Sequence, residues 1–397
     1  MKVLVANIGS TSFKFRLFDM GDERELARGG VDGVGSKKAR CYFRREGDGT
    51  AQERVVAVRD QGRALSQCLK LLTEGDCPVL HSAEELAAVG FKAVLAKGLT
   101  GVHRVDKKVL KAMEAYADIA PAHNPPYVEA MQMLRKRFPA LPLVAAFETG
   151  FHETIPDRNR LYAVPREWAD DYGIRRNGFH GASHRYIAGR MAQLLGRDDL
   201  RLISCHLGGS SSICAIRSGQ SVANSFGFSA QSGVPHNNRV GDLDPYALLA
   251  MKQATGKPLK KLLTELAEHG GLEGLSGIGR DQREIEESAV AGDANAQLAI
   301  DVFVASVRHY VGAYLVELGG ADAIAFTGGV GENSPRIRAA VCRDMAWCGV
   351  ELDPSRNESA KGEAVVSNDR SRASVWILPT NEELVVARQA AELLRET

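Results

Sequence analysis

The sequence has almost no net charge. Its 50 Lys and Arg residues nearly cancel its 49 Asp and Glu residues, which leaves a formal net charge of +1 over 397 residues. Such a balance provides no long-range electrostatic field that would gather DNA or RNA. We therefore expect no nucleic-acid partner, and any anionic ligand has to be held by local groups.

Long apolar runs are missing as well. No stretch of the sequence approaches the roughly 20 apolar residues of a membrane span. The segment 1–13 lacks the long apolar region and the small-residue cleavage site of a signal peptide. The seven cysteines form no Cys-x-x-Cys pair and their number is odd, which favours buried free thiols over disulfides or a zinc site. These absences predict a cytoplasmic chain with no membrane partner.

Two widespread phosphate-binding patterns are also absent. No segment matches Gly-x-x-x-x-Gly-Lys-[Ser/Thr], and the combination of Gly-rich loop, His-Arg-Asp and Asp-Phe-Gly that marks protein kinases does not occur. The sequence therefore predicts neither a P-loop protein nor a protein kinase.

A strand–turn–strand pattern occurs twice. The runs Lys2–Ile8 and Ser12–Asp19 flank one turn, and the apolar segments 202–207 and 213–216 flank a Gly/Ser-rich turn at 208–212. Because 397 residues are too many for one ordinary core, two such patterns half a chain apart predict a duplicated two-domain fold. Strand patterns alternate with helical ones, which indicates an α/β architecture.

Other local signals mark turns and helix ends. A third Gly-rich segment, 328–333, follows the apolar segment 321–326, and we expect a loop there; Ser334 is then expected to cap the next helix. A proline-rich loop is expected at 121–126. Thr380 is expected to open the C-terminal helix as a capping box with Glu383. Glycine allows backbone N–H groups to approach a phosphate closely, although each such turn alone is more often only a turn.

Nine short motifs, in order along nearly the whole chain, resemble the acetate kinase family. They are 7–15 (NIGSTSFKF), 123–125 (HNP), 147–152 (FETGFH), 175–181 (RRNGFHG), 205–208 (CHLG), 239–245 (RVGDLDP), 275–278 (LSGI), 326–333 (FTGGVGEN) and 379–384 (PTNEEL). The resemblance implies an α/β, two-domain, duplicated actin-like (ribonuclease H-like) ATPase fold. It places an N-terminal domain at 1–147 plus 382–397 and a C-terminal domain with the nucleotide site at 148–381.

The resemblance also implies ATP and ADP binding in a cleft between these domains. Lys14 and the Asp281 segment have simpler interpretations as solvated surface charges, and His206 as a structural strand-end residue. The nucleotide-binding residues implied are Asn7, Ser10, Ser12, Lys14, His206, Gly208, Gly209, Ser210, Asp281, Gln282, Arg283, Gly329, Val330, Gly331 and Asn333.

The catalytic residues implied by the family are Arg239, His180 and Glu148, and Mg²⁺ is implied near Asn7 and Glu382. A planar guanidinium neutralises the equatorial oxygens of a transferring phosphoryl group, which suits Arg239. An acceptor carboxylate is already ionised at neutral pH, so Glu148 is expected to orient magnesium or water and not to accept a proton.

The substrate-binding residues implied by the family are Lys92, Val94, Ala122, His123, Phe179 and Ala230. Departures from the family pattern cluster here: Lys92 stands where the family has Arg, Ala122 where it has Leu, and Ala230 where it has Pro. Glu148 stands for Asp, and Gly209 stands for Asn. A lysine keeps the charge of an arginine but loses its bidentate fork.

Three functions remain open from the sequence. The resemblance implies reversible, ATP-dependent phosphorylation of a short-chain carboxylate, acetate or propionate, to an acyl phosphate. The two small alanines favour a kinase for a larger carboxylate. A nucleotide-binding protein with little transferase activity is the third possibility. The family resemblance also implies a homodimer.

Overall fold

The computed structural model describes residues 1–9, 11–47, 49–74 and 78–396. The chain forms two compact units. Unit 1 comprises Met1–Gly150 and Asn381–Thr397, and unit 2 comprises Phe151–Thr380. Glu148, which the predicted boundary assigned to the C-terminal domain, lies in unit 1.

Unit 1 contains an eight-stranded sheet in the order β5-β4-β3-β2-β1-β6-β8-β7, with helices on its faces. Its elements are β1 Lys2–Ile8, β2 Ser12–Asp19, β3 Arg24–Asp32, β4 Ala39–Arg45, β5 Ala51–Val56, β6 Leu86–Ala93, β7 Val102–Arg104, β8 Leu143–Phe147, α1 Gln61–Thr73, α2 Lys107–Glu114, α3 Asn124–Arg137 and the C-terminal α15 Glu382–Arg395.

Unit 2 contains a six-stranded sheet in the order β11-β10-β9-β12-β14-β13. Its elements are β9 Arg201–His206, β10 Ser212–Arg217, β11 Gln220–Asn224, β12 Ala323–Thr327, β13 Ala364–Val365, β14 Ser374–Ile377, α4 Asp157–Arg160, α5 Arg166–Asp170, α6 Gly181–Leu195, α7 Tyr246–Thr255, α8 Leu259–Glu268, α9 Gly271–Ser276, α10 Gln282–Val290, α11 Ala294–Leu318, α12 Gly328–Asn333, α13 Pro335–Cys342 and α14 Pro354–Ser359.

Five strands in each sheet share one topology. In unit 1, β1 pairs with β2 antiparallel and with β6 parallel, and β6 pairs with β8 parallel. In unit 2, β9 pairs with β10 antiparallel and with β12 parallel, and β12 pairs with β14 parallel. A third antiparallel strand, β3 or β11, completes each meander. The two strand–turn–strand patterns of the sequence are thus the β1–β2 and β9–β10 hairpins.

The C-terminal helix α15 packs on unit 1, against β1, β6 and β8. Gly90 of β6 lies under it, since a Cβ at this position would stand 3.0 Å from Cγ1 of Val386. Apolar residues of α15 such as Val385, Val386 and Ala390 are buried in this contact. The last residues of the chain therefore complete the unit that begins it.

One expectation about apolar segments was wrong. Helix α11 is 25 residues long and, by length and a mean hydropathy of 1.2, apolar enough to cross a membrane. Its buried residues, among them Phe303, Val307 and Val311, belong to the core of unit 2 together with residues of β9 and β12. A core helix meets the same two criteria, and this packing accounts for its apolar composition.

Candidate functional site

The β1–β2 hairpin carries the first predicted phosphate-binding residues. Asn7 and Lys14 face each other in the register of the two strands, and both are exposed. The turn closes where the N–H of Gly9 donates to the carbonyl of Ser12 at 2.9 Å. The hydroxyl of Tyr127 donates to Oδ1 of Asn7 at 3.3 Å, which orients the amide. Ser10, also predicted here, lies outside the described residues.

Lys92 and Glu382 form an ion pair in unit 1, although they are 290 residues apart in the sequence. Their side chains keep 28% and 13% of their exposure, so the pair is only partly solvated. Burial by itself would lower the pKa of Lys92, but the charges of Glu382 and Glu148 outweigh it and raise that pKa. Glu148 is itself buried, with 5% exposure. Lys92 is therefore a lysine held as a cation by two predicted site carboxylates.

The start of α15 differs from the predicted capping box. The N-cap is Asn381, whose Oδ1 accepts a hydrogen bond from the N–H of Leu384 at 3.1 Å, and Thr380 precedes the cap. Glu383 lies 3.8 Å from Nε of Arg16 and does not close a box. Asparagine is as good an N-cap as threonine or better, so the cap moved by one residue. This register places Glu382 at the first helical position, where it meets Lys92.

The segment after β6 meets the start of α3. The predicted proline-rich loop was wrong from Asn124 onward, because Pro125 and Pro126 lie in the first turn of α3, where proline is tolerated. His123 is the N-cap residue, Ala122 is exposed and Val94 is half-buried.

Asn124 was not among the predicted site residues. It is buried, and its Nδ2 donates to the carbonyls of Leu95 and Met113, each at 2.8 Å. It therefore fixes the chain beside Val94 and His123, and its place in the HNP motif at 123–125 was the sequence signal that could have found it.

In unit 2, two turns join at the ends of the parallel strands β9 and β12. The N–H of Leu207 donates to the carbonyl of Thr327 at 2.8 Å, and the carbonyl of Leu207 accepts from Val330 at 2.9 Å and Gly331 at 3.1 Å. The segment 328–333 is the short helix α12, so the predicted loop was wrong. At Gly328, with φ of 77°, a Cβ would lie 2.6 Å from the carbonyl oxygen of Leu207, which explains the glycine. Gly208 and Gly329 therefore lie on adjacent turns.

Arg239 is held beside the β9–β10 turn. Its Nη1 donates to the carbonyl of Ala230 at 3.0 Å and to Oγ of Ser210 at 3.3 Å. Burial lowers the pKa of its guanidinium, which nevertheless stays charged at neutral pH. The loop is closely packed on Gly271, where a Cβ would lie 2.1 Å from the carbonyl oxygen of His236.

His236, which was not predicted, links this loop to the turn. Its Nδ1 accepts a hydrogen bond from the N–H of Ser211 at 2.8 Å, and its ring stacks on Phe226 with centroids 5.3 Å apart. Asn237, the next residue, donates through its N–H to the carbonyl of Gly209 at 3.4 Å. These two hydrogen bonds join the arginine loop to the Gly/Ser turn.

The predicted residues His180 and His206 lie together. Their rings are 4.2 Å apart between centroids. His180 is the N-cap of α6 and has a left-handed backbone, with φ of 56°, which a non-glycine residue adopts only when its surroundings impose it. Phe179 before it is buried and meets Phe226 edge to face, with centroids 5.4 Å apart.

Two further buried histidines surround this pair, and the sequence prediction missed both. His184 follows His180 by one helical turn, a spacing that the sequence did display. His152, in the FETGFH motif, bonds through Nδ1 to Oγ of Ser221 at 2.8 Å and through Nε2 to the carbonyl of Phe179 at 2.9 Å.

The predicted nucleotide-binding residues at 281–283, 329–331 and 333 occupy the start of α10 and helix α12. Asp281 is the N-cap of α10 and pairs with Arg283 at 2.6 Å, so it has a structural task of its own. Gln282 is buried, and its Oε1 has no hydrogen-bond partner in the part of the chain that the structure describes. Within α12, Nδ2 of Asn333 donates to the carbonyl of Gly329 at 2.8 Å.

Glu382 and Asn7 offer carboxylate and amide oxygens, which are of the type that Mg²⁺ prefers. Mg²⁺ keeps most of its waters and is usually bound through one or two carboxylates plus substrate phosphates. Asn7 and Glu382 fit such an ion through single oxygens, and no group of three or more His, Cys, Asp or Glu side chains within the described ranges could form an all-protein site. The residues therefore fit a metal held chiefly by a nucleotide.

The buried histidines predict a pH-dependent stability. Burial lowers the pKa of His152 to about 4 and that of His236 to about 3, the latter with help from the charge of Arg239, and burial lowers the pKa of His184 well below its usual value. The unfolded chain binds these protons near pH 6.5, so the folded state loses stability as the pH falls below about 6.5. We expect a loss of up to about 1.4 kcal/mol per pH unit for each histidine.

Urea unfolding at pH 7.0, 6.0 and 5.5 measures this slope. His152→Gln should flatten it, whereas His309→Gln, at an exposed position of the same unit, should leave it unchanged. Equal slopes in all three proteins would contradict the assignment.

Comparison with known proteins agrees with this geometry. A sequence profile of the Acetokinase family matches residues 2–388. The chain is 38% identical to the acetate kinase of Pseudothermotoga lettingae, with 99% of this chain and 98% of that protein covered. An acetate kinase from Anoxybacillus flavithermus is also 38% identical, with the same coverage.

Solved structures give the same result. The chain superposes on the acetate kinase of Porphyromonas gingivalis with a TM-score of 0.89, at 33% identity and 99% coverage of both chains. With a propionate kinase from Francisella tularensis the TM-score is 0.88, at 29% identity and 98% coverage of both. The predicted fold class, a duplicated actin-like α/β ATPase, is thereby confirmed. A profile match over nearly the whole chain and relatives of this identity establish that the chain belongs to the acetokinase family.

Proposed function

We propose that the chain transfers the terminal phosphoryl group of ATP reversibly to a short-chain carboxylate, forming an acyl phosphate and ADP. Membership of the acetokinase family makes it a kinase with a carboxylate acceptor. The observation that carries the proposal is the fixed position of Arg239, whose partly buried guanidinium lies beside the Gly/Ser turn at 208–211.

The reaction needs charge neutralisation more than proton transfer. A carboxylate oxygen attacks the γ-phosphorus, the bond from the γ-phosphorus to the β–γ bridging oxygen breaks, and ADP leaves with that oxygen. No proton has to move, because the acceptor is ionised already. The charge on the transferring group is spread over its equatorial oxygens, where Arg239 and the donors His180 and His206 act. When Mg²⁺ is bound, the Glu148 carboxylate would orient it or its water.

Each unit has a distinct task in this proposal. Unit 1 is the N-terminal actin-like domain, with Asn7, Ser12 and Lys14 for nucleotide phosphates. Unit 2 is the C-terminal actin-like domain with the nucleotide site. In unit 2 the phosphates are assigned to His206 and 208–210, and the base to 281–283 and 329–331; Asn333 is assigned to the nucleotide without a part of its own. The support is the identical five-strand topology, which puts a hairpin turn at the same place in both.

Mg²⁺ is assigned to the oxygens of Asn7 and Glu382. When bound it neutralises charge on the nucleotide phosphates. The chain's own contribution is to hold Glu382 at the first turn of α15, with Lys92 paired to it.

The acceptor pocket is assigned to Lys92, Val94, Ala122, His123, Phe179 and Ala230. Lys92 already donates to Glu382, so only part of its hydrogen-bonding capacity is left for an acceptor carboxylate. The two alanines leave space where the family has larger apolar residues. Both features support an acceptor larger than acetate as the preferred substrate.

The proposal extends to the assembly and location of the chain. The homodimer is proposed from the family resemblance alone, whereas a cytoplasmic location without a nucleic-acid or membrane partner agrees with the balanced charge and with the core position of α11.

Arg239→Ala should abolish most turnover and leave ATP affinity nearly intact, because the guanidinium is assigned to the transition state. We expect kcat to fall by roughly 100-fold or more. Coupled-enzyme kinetics and calorimetry with ATP and Mg²⁺ measure the two quantities. Arg343→Ala, at a position with 73% side-chain exposure in the same unit, is the control. Near-normal turnover of Arg239→Ala would place the catalytic charge elsewhere.

Acetate should have a lower kcat/KM than propionate, butyrate or a hydroxy acid at saturating ATP. A lost methylene contact costs about 1–3 kcal/mol, so two reduced walls shift the preference by an order of magnitude or more. Trapping the acyl phosphate with hydroxylamine measures each rate. Ala230→Pro combined with Ala122→Leu should move the preference back toward acetate. If acetate is the best acceptor of the unmodified chain, the alanines only repack the pocket, and if no acid reacts, the chain is a nucleotide-binding protein.

A further inference from the structure

Four histidines of unit 2 share one pattern of hydrogen bonding. Each bonds through Nδ1 to a serine hydroxyl, at 2.8 or 2.9 Å, and three of the four serines lie on β9, β10 and β11. The pairs are His152 with Ser221, His180 with Ser212, His184 with Ser204 and His206 with Ser183. Since these serines come from separate elements, the pattern belongs to the tertiary structure.

His152 shows the polarity of one pair directly. Its Nε2 bonds to the carbonyl of Phe179, which can only accept, so the proton of this neutral imidazole is on Nε2. Nδ1 is then an acceptor, and the hydroxyl of Ser221 donates to it.

The buried hydroxyl of Ser204 sets the polarity of a second pair. Ser204 is fully buried, and among the described residues its Oγ has one hydrogen-bond partner, Nδ1 of His184. If His184 carried its proton on Nδ1, the hydroxyl hydrogen of Ser204 would be left buried without an acceptor, which is costly. Ser204 therefore donates, and His184 carries its proton on Nε2. Burial lowers the pKa of His184 well below its usual value, in agreement with a neutral ring.

Ser212 connects His184 to His180 through two hydrogen bonds. Its Oγ lies 2.8 Å from Nε2 of His184 and 2.9 Å from Nδ1 of His180. A hydroxyl has one hydrogen to donate, so when it accepts from His184 it donates to His180. The proton of the neutral His180 imidazole is then on Nε2.

We propose that Ser204, His184 and Ser212 are positioning residues, which hold His180 in the tautomer whose Nε2–H donates to the phosphoryl group. Ser183 is buried, and its Oγ likewise has His206 as its one partner within the described ranges, so it fixes His206 in the same tautomer. The two rings are adjacent, with centroids 4.2 Å apart, and present two preset donors to one anion. The role in catalysis rests on the proposed function, whereas the tautomer assignment does not.

The tautomer is tested by ¹⁵N NMR of the full chain labelled on histidine nitrogens. Each neutral tautomer gives its own pair of nitrogen shifts, and loss of signals in His180→Gln assigns His180. We expect the Nε2–H pattern for His180 in the unmodified protein and a mixture with the Nδ1–H pattern in Ser212→Ala. An Nδ1–H pattern in the unmodified protein, or an unchanged pattern in Ser212→Ala, would overturn the proposal.

Kinetics test the consequence. Ser212→Ala should lower kcat roughly tenfold or more with little change in KM for ATP, since a preorganised donor acts in the transition state. Ser212→Thr, which keeps the hydroxyl, should restore most of the rate. Ser367→Ala is the control, because Ser367 is also buried but bonds to the N–H of Val375. A kcat for Ser212→Ala equal to that of the control would overturn the positioning role. If no acid is phosphorylated by the unmodified chain, the proposed function fails while NMR still decides the tautomer.

Discussion

The site in unit 2 depends on the parallel pairing of β9 with β12. This pairing aligns Thr327 with His206, and the backbone of Leu207 then bonds to both the end of β12 and the start of α12. Gly328 makes this close approach of the two segments possible, because a Cβ there would lie 2.6 Å from the carbonyl oxygen of Leu207. From the same turn, the N–H of Ser211 reaches His236, whose loop carries Arg239. One backbone register thus determines where the Gly/Ser turn, the short helix and the arginine lie relative to each other.

The serine–histidine pairs determine, in addition, which ring nitrogen of each histidine carries the proton. A neutral imidazole offers a donor on one nitrogen and an acceptor on the other, and buried serines decide which. Three of these serines lie on strands β9, β10 and β11, and the fourth, Ser183, lies on α6, which also carries His180 at its N-cap and His184 in its first turn. In unit 1 it is a charge that is fixed, because Glu382 and Glu148 hold Lys92 as a cation. Hydrogen-bond donors and charges are therefore in place before a substrate binds, so they need no reorganisation during phosphoryl transfer.

The sequence predicted the features that depend on local pattern. Apolar periodicity and Gly/Ser turns gave the hairpins and the duplicated α/β fold, and Ser334 is the N-cap of α13 as expected. Predictions from local pattern were wrong where tertiary contacts determine the secondary structure. The segment 328–333 is helical despite its glycines because the carbonyl of Leu207 accepts its first N–H groups. The Lys92–Glu382 pair and the serine partners of His152 and His184 join residues distant in sequence, and no periodicity indicates them. The family motifs predicted the site residues that the structure brings together within each unit, whereas their roles stay predictions.

Transfer of the phosphoryl group to a carboxylate oxygen is tested most directly by ³¹P NMR with an ¹⁸O-labelled carboxylate, ATP and Mg²⁺. Attack by the acceptor oxygen predicts an acyl phosphate resonance, formed in step with ADP, that carries one ¹⁸O in the bridge between carbon and phosphorus. If ADP appears only together with unlabelled inorganic phosphate, water is the acceptor and the account is contradicted.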